Sequence, residues 1–314
     1  MEQSPVIKVE KLTKVYRTGF MMKPFSALNG ISFKVDRNEL YGFLGPNGAG
    51  KTTTIKVLNS VVFPTEGKVE LFGDPLASVD RGRIGFLPEH PYFYEYLTAR
   101  EFLYFCGSLF GMRREMVERK VEELLKTVGL KKSRDTQLRK FSKGMLQRIG
   151  LAQALINDPE LVILDEPMSG LDPIGRMEIR ELIRDLKSRG KTVFFSSHII
   201  SDVELLADRV CILNEGEKVA DGAIPELLGE GVVKYYEFDI RGVGDPGEMR
   251  DALGDICLSM TVRDDSVTVR VPGDEYIDRT VDVVRACGGR LKAVIPVRVN
   301  LEELFVDIIG ENEH

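Results

Sequence analysis

Short apolar runs recur along the first two thirds of this chain, each closed by a polar or glycine-rich turn. Val6-Ile7-Lys8-Val9 and Ile31-Ser32-Phe33-Lys34-Val35 alternate with a period of two and predict short strands. Leu40 to Leu44 and Lys68 to Phe72 predict two more. Leu161 to Leu164, Thr192 to Phe195 and Val210 to Leu213 are almost wholly apolar, as buried parallel strands are. Between Thr98 and about Ile156 the period changes. Leu, Met and Val there mix with Glu101, Glu115, Glu118, Glu122 and Glu123 at helical spacing. The expectation is a parallel α/β core with a helical insertion over about 92–157.

The composition shifts at Leu228-Gly229-Glu230-Gly231. Beyond it the pattern predicts strands at 232–241, 256–263, 266–271 and 290–298. Helices are expected at 246–253, 275–287 and 300–309. The order β-α-β-β-α-β is that of a split-βαβ, ferredoxin-like module. Two domains follow, 1–228 and 232–314. The length of 314 residues agrees, because single cores stop growing at roughly 250–300 residues.

Composition narrows the classes. Hydrophobic content of 43% and charged content of 29% describe an ordinary globular chain. The net charge of −6 argues against nucleic acid as a partner. No apolar run approaches the roughly 20 residues that span a bilayer. Met1-Glu2-Gln3-Ser4-Pro5 does not read as a signal peptide. Cys106, Cys211, Cys257 and Cys287 are scattered, and buried reduced thiols are expected of them.

One stretch carries specific chemistry. Gly45-Pro46-Asn47-Gly48-Ala49-Gly50-Lys51-Thr52 fits the G-x-x-x-x-G-K-[ST] phosphate loop, with a strand before it and a helix after. The glycines let successive N–H groups close on phosphate oxygens. The helix that follows adds roughly half a positive charge at its N-terminus. Lys51 supplies a point charge for the β- and γ-phosphates, and the Thr52 hydroxyl is a Mg²⁺ ligand candidate.

Other residues converge on that loop. Asp165-Glu166 ends the strand at Leu164. Asp165 is suited to hold Mg²⁺, usually through water, and Glu166 to polarise an attacking water. His198 follows the strand ending at Phe195, where it would meet a γ-phosphate. Parallel strands aim their C-terminal ends at one crevice, so all three regions should meet there. At Phe141-Ser142-Lys143-Gly144-Met145, Ser142 fits a helix N-cap and Gly144 permits close backbone approach.

With these residues in place the chain resembles the ATPase subunits of ABC transporters over roughly 5–225. Phe141 to Met145 looks like the family's signature loop, usually Leu-Ser-Gly-Gly-Gln, with Ser142 placed 23 residues before Asp165. Leu161 to Glu166 looks like the Walker B strand with its catalytic glutamate. Ser169-Gly170-Leu171-Asp172 looks like the D-loop and His198 like the switch histidine. Tyr16 is similar to the aromatic that stacks on adenine. Phe86-Leu87-Pro88-Glu89 occupies the Q-loop position. The 232–314 segment resembles the small C-terminal extension of bacterial exporter ATPases.

The resemblance implies ATP and Mg²⁺ as cofactors, with Glu166 and His198 catalytic. Gly45 through Thr53, with Tyr16, would bind nucleotide. Ser142, Lys143, Gly144 and Asp172 of a second copy would close an ATP-sandwich dimer. It also implies separate integral-membrane permease subunits and a peripheral place at the cytoplasmic face of the membrane. Within Pro91 to Tyr96 and Phe102 to Phe105, an exposed part would receive the permease. Two motifs depart from the family's pattern. Lys143 and Met145 replace Gly and Gln, and Glu89 replaces Gln. An ionised carboxylate donates no hydrogen bond, so Glu89 is assigned to Mg²⁺ or a water, or to signalling alone. The competing class is a soluble ABC ATPase acting on ribosomes or DNA. Those acting in translation carry two cassettes in one chain, and those acting on DNA carry coiled-coil or zinc insertions; this sequence has neither.

Overall fold

The computed structural model describes residues 4–18, 23–229, 233–298 and 300–310. Part of the expected boundary at 228–231 lies outside them, as do the first residue and the last four of the 232–314 segment. The chain divides into two compact units, Met1–Ile224 and Pro225–His314.

The first unit opens with β1 (Ile7–Thr18), β2 (Lys23–Val35), β3 (Leu40–Leu44), α1 (Lys51–Leu58), β4 (Glu66–Leu71) and β5 (Asp74–Pro75). It continues with β6 (Ile84–Leu87) and three helices, α2 (Ala99–Leu109), α3 (Arg114–Thr127) and α4 (Lys143–Ala154). It ends with β7 (Leu161–Leu164), α5 (Pro173–Ser188), β8 (Thr192–Ser197), α6 (Ile200–Leu206), β9 (Arg209–Asn214) and β10 (Glu217–Ala223).

Six strands form one sheet in the order β10-β9-β3-β8-β7-β6. All its neighbours are parallel except the edge pair β9·β10. A second, antiparallel sheet runs β2-β1-β4-β5. The sequence pattern predicted short strands at 6–9, 31–35 and 68–72 and did not separate this sheet. The cause is local. β1 shifts register against β2 after Val9, Leu12 and Lys14, and Lys11 sits at φ 48°. Bulges of this kind break the period-two alternation that marks a strand.

The main core lies between the two sheets. Phe33 from β2 stacks near Tyr41 and Phe43 from β3 and Phe194 from β8, with ring centroids 5.1–6.0 Å apart. All four rings are buried, and each contributes roughly 1.5–3 kcal/mol of burial. This slab fixes β3, β7 and β8 side by side, and their C-terminal ends carry the candidate chemistry. α2 begins on a complete capping box, in which Thr98 accepts from Glu101 N and the Glu101 carboxylate accepts from Thr98 N.

The second unit runs α7 (Ile224–Leu227, whose first residue belongs to the first unit), β11 (Val233–Arg241), α8 (Pro246–Leu253), β12 (Ser259–Arg263), β13 (Ser266–Val271), α9 (Ile277–Ala286), β14 (Arg290–Arg298) and α10 (Leu301–Gly310). Its sheet order is β12-β13-β11-β14, antiparallel throughout. That is the ferredoxin-like arrangement. Phe238, Ile240, Val267, Val269 and Val271 alternate along the strands and pack with Met249, Leu253 and Val284 of α8 and α9.

Candidate functional site

The loop between β3 and α1 is set by backbone demands. Gly50 is the N-cap of α1 at φ 106°, a left-handed conformation. A Cβ there would meet Leu28 Cδ2 at 2.6 Å and Ala27 O at 2.7 Å. Only glycine fits both the torsion and the approach. Gly48, at φ 87°, faces open space on its Cβ side. No side chain caps α1. The N–H groups of its first turn therefore point into the cleft without an internal acceptor from a cap.

Lys51 is buried at the head of α1. Its Nζ donates to Gly45 O at 2.7 Å and Pro46 O at 3.1 Å and lies 3.3 Å from Glu166 Oε1. The other Glu166 oxygen, Oε2, is 2.8 Å from His198 Nδ1. Glu166 is thus held between an ammonium and an imidazole from two different elements. Its backbone sits at φ 49°, which costs about 1 kcal/mol or more for a bulky residue. Donation from its N–H to Ser196 Oγ at 2.8 Å holds that conformation.

Ser196 also donates to Asp165 Oδ1 at 2.7 Å, and Thr52 Oγ1 lies 3.5 Å from the same oxygen. Burial pushes the Asp165 carboxyl above its ordinary value; Ser196 and Thr52 oppose the rise, and the Glu89 and Glu166 carboxylates add to it. A divalent cation here would reverse that balance. One hydroxyl and one carboxylate are a thin oxygen set, and no group of three or more His, Cys, Asp or Glu side chains suited to a metal occurs among the described residues. That donor set fits Mg²⁺ arriving with phosphates, which the ion prefers to an all-protein cage.

A cleft of about 410 Å³ joins these parts, lined by Tyr16, Phe25, Ala27, Asn47, Gly48, Gly50, Lys51, Thr52, Thr53, Glu89 and Glu166. Tyr16 and Phe25 are register partners on β1 and β2, and the Lys14 ammonium stands 5.1 Å from the Tyr16 ring centroid. The sequence reading named Tyr16 and passed over Phe25, Ala27 and Ser196. Only the paired strands bring Phe25 opposite Tyr16, and β2 was not read that far back.

Ser142, Lys143, Gly144 and Asp172 are not among the residues lining this cleft. Ser142 caps α4, accepting from Met145 N at 3.3 Å, and is exposed. Asp172 caps α5, accepting from Gly175 N at 2.9 Å. A Cβ added at Gly170 would collide with Lys143 Nζ, so the lysine lies directly on the loop before α5. That helix is tied to the His198 side. Asp202 of α6, fully buried, accepts from Arg176 at 2.6 Å and Arg180 at 2.8 Å of α5.

The comparisons point the same way. The family model described as "ABC transporter" matches residues 28–169. An ABC transporter ATP-binding protein of Synechocystis sp. is 43% identical over 313 residues, covering 98% of this chain and 86% of that protein. The Nod factor export ATP-binding protein I of Burkholderia lata is 36% identical over 291 residues, covering 90% and 92%. A solved dimeric ATP-binding cassette in a post-hydrolysis state, bound to ADP and Pi, superposes with a TM-score of 0.63 at 26% identity, covering 69% of this chain and 98% of that one.

Proposed function

The chain belongs to the ABC transporter ATP-binding proteins, a family of ATPases, and on that premise we propose that it powers export through separate integral-membrane subunits by hydrolysing Mg²⁺–ATP between two copies of itself. The observation that carries the reading is the Lys51–Glu166–His198 constellation, with Lys51 and Glu166 buried and His198 exposed, beside an uncapped glycine-rich helix start. In this reading the backbone of Gly45 to Gly50, Lys51, Thr52 and Thr53 hold the phosphates. Tyr16 takes the adenine. Thr52 and Asp165 hold Mg²⁺, which supplies charge neutralisation on the phosphates, and Glu89 faces the same region. Glu166 accepts the proton of the attacking water, oriented by His198.

Ser142, Lys143, Gly144 and Asp172 then serve the opposite copy. They cluster at helix starts outside the cleft, where exposed N–H groups and a lysine suit a phosphate brought to them. The export direction is supported by the Nod factor export relative, which matches along nearly all of its length. No helix among the described residues is long and apolar enough to cross a membrane, so the permeating path is assigned to partner chains. Their docking surface is assigned to the aromatic segment after Glu89. Phe93 and Phe102 of that segment are buried, whereas Tyr92 is 93% exposed and Tyr96 66%.

Glu166→Gln tests the shared site. The amide keeps the size and removes the carboxylate. Hydrolysis should fall at least about a hundredfold, the lower end of general-base contributions. Mg²⁺–ATP should still bind, and size-exclusion chromatography should show a dimer only with ATP, a ligand-linked association. A monomer that turns over at the wild-type rate would defeat both the base and the sandwich.

A further inference from the structure

β7 pairs with β8 as far as Leu164 and Phe195, and there the ladder between them ends. β8 runs on through Ser196 and Ser197, still paired to β3. The chain after β7 turns away through Asp165 and Glu166, so the ladder offers the Glu166 N–H no carbonyl. Ser196 supplies the acceptor instead. Its hydroxyl oxygen accepts the Glu166 N–H at 2.8 Å, and its hydrogen goes to Asp165 Oδ1 at 2.7 Å. The side chain is wholly buried, so water does not compete for either bond. A hydroxyl has one hydrogen to give. Giving it to Asp165 leaves the lone pairs for Glu166 and strengthens their acceptance. Ser197, the next residue, serves another purpose. Its Oγ accepts from Ile199 N at 3.0 Å, in the turn that carries His198.

The Glu166 backbone depends on that bond. At φ 49° it occupies the left-handed region, which is unfavourable for a long side chain. Without Ser196 Oγ the buried N–H would also go unpaired, a second penalty on the same conformation. Rotation out of the left-handed region swings Cβ to a new direction. The carboxylate would then leave Lys51 Nζ and His198 Nδ1, which it now meets at 3.3 and 2.8 Å.

We propose that Ser196 is a positioning residue for ATP hydrolysis, whose hydroxyl ties the backbone of Glu166 to the Asp165 carboxylate and so sets the base beside the residue that faces the metal. This rests on Glu166 being the base. Ser196 is not among the residues lining the nucleotide cleft, so it acts through Glu166. The consequence is a loss of turnover without a loss of binding.

The test uses the full chain with Mg²⁺. It measures single-turnover ATP hydrolysis, and ATP affinity by titration calorimetry. Ser196→Ala should slow hydrolysis about tenfold, the scale of one lost hydrogen bond, and weaken ATP by no more than about twofold. Ser196→Cys keeps the volume with a weak donor and acceptor, and should slow hydrolysis in the same way. Thermal unfolding of each variant checks that it is folded. In a Glu166→Gln background the base is already gone, so Ser196→Ala should lower the residual rate by less than about twofold. A merely structural role would cost the same factor in both backgrounds. Wild-type turnover in either serine variant, an equal loss of affinity and turnover, or a tenfold loss that persists with Glu166→Gln each overturns the proposal. The reading of the base fails separately, if Glu166→Gln alone turns over at the wild-type rate.

Discussion

Two helices in the first unit begin with the same backbone chemistry and are finished differently. α1 starts from Gly50 with no side-chain cap. Buried Lys51, Asp165 and Glu166 stand around its first turn. α4 starts from Ser142, whose hydroxyl takes up the Met145 N–H, and both Ser142 and Lys143 face solvent. Each helix end carries the same partial positive charge. Around α1 that charge acts in a partly desolvated cleft, where electrostatic interactions are several times stronger than in water. Around α4 it is screened until something covers it. One terminus is a site already enclosed by its own chain. The other is an exposed surface, which in the proposed reading becomes a site when a second copy covers it.

The sharpest way to break the contrast is at the enclosed end. Lys51→Ala removes the cation that Gly45 O, Pro46 O and Glu166 surround. It leaves a buried carboxylate facing any phosphate. Truncating one partner of a buried charge pair costs roughly 2–5 kcal/mol. Affinity for a fluorescent ATP analogue should therefore fall by about a hundredfold or more. Unchanged fluorescence titration would remove Lys51 from the site.

The exposed end should respond in the opposite sense. Ser142→Arg places bulk on a surface that the chain's own cleft does not use. In a Glu166→Gln background the monomer should bind ATP as tightly as before, within about twofold, and no ATP-dependent dimer should elute. If Ser142→Arg weakens monomer binding as Lys51→Ala does, then α4 belongs to the same enclosed site as α1 and the contrast is false.

This contrast also marks what the sequence made legible. The phosphate loop, Asp165, Glu166 and His198 were readable because each follows an apolar strand run at fixed spacing. β3, β7 and β8 then lie side by side. The second unit was readable for a similar reason, since Phe238/Ile240 and Val267/Val269/Val271 alternate cleanly. Two things were not. The antiparallel sheet is hidden by bulges in β1, and with it the place of Phe25 across from Tyr16. Ser196, which holds both Asp165 and Glu166 N–H, looks in sequence like any strand-end serine. Both depend on which residues meet across strands, and local periodicity carries no record of those pairings.

The smallest expected effect lies at the far rim of the enclosed cleft, where no charge is at stake. Tyr16 and Phe25 line it as register partners. Stacking an aromatic on a base is worth roughly 1–3 kcal/mol in nucleic-acid binders. An open rim should sit at the low end, because water competes for both faces. Tyr16→Ala should therefore weaken ATP several-fold, and Tyr16→Phe should barely change it. Phe25 is 55% exposed, and its ring lacks the neighbouring Lys14 ammonium that stands over Tyr16. Phe25→Ala should cost less than Tyr16→Ala. GTP should compete with ATP nearly as well as ATP itself does, since a ring face reads no hydrogen-bond pattern. Calorimetric titration of the three variants orders the two rings. A larger loss for Phe25→Ala would move the base onto β2 and leave Tyr16 as the support for Lys14.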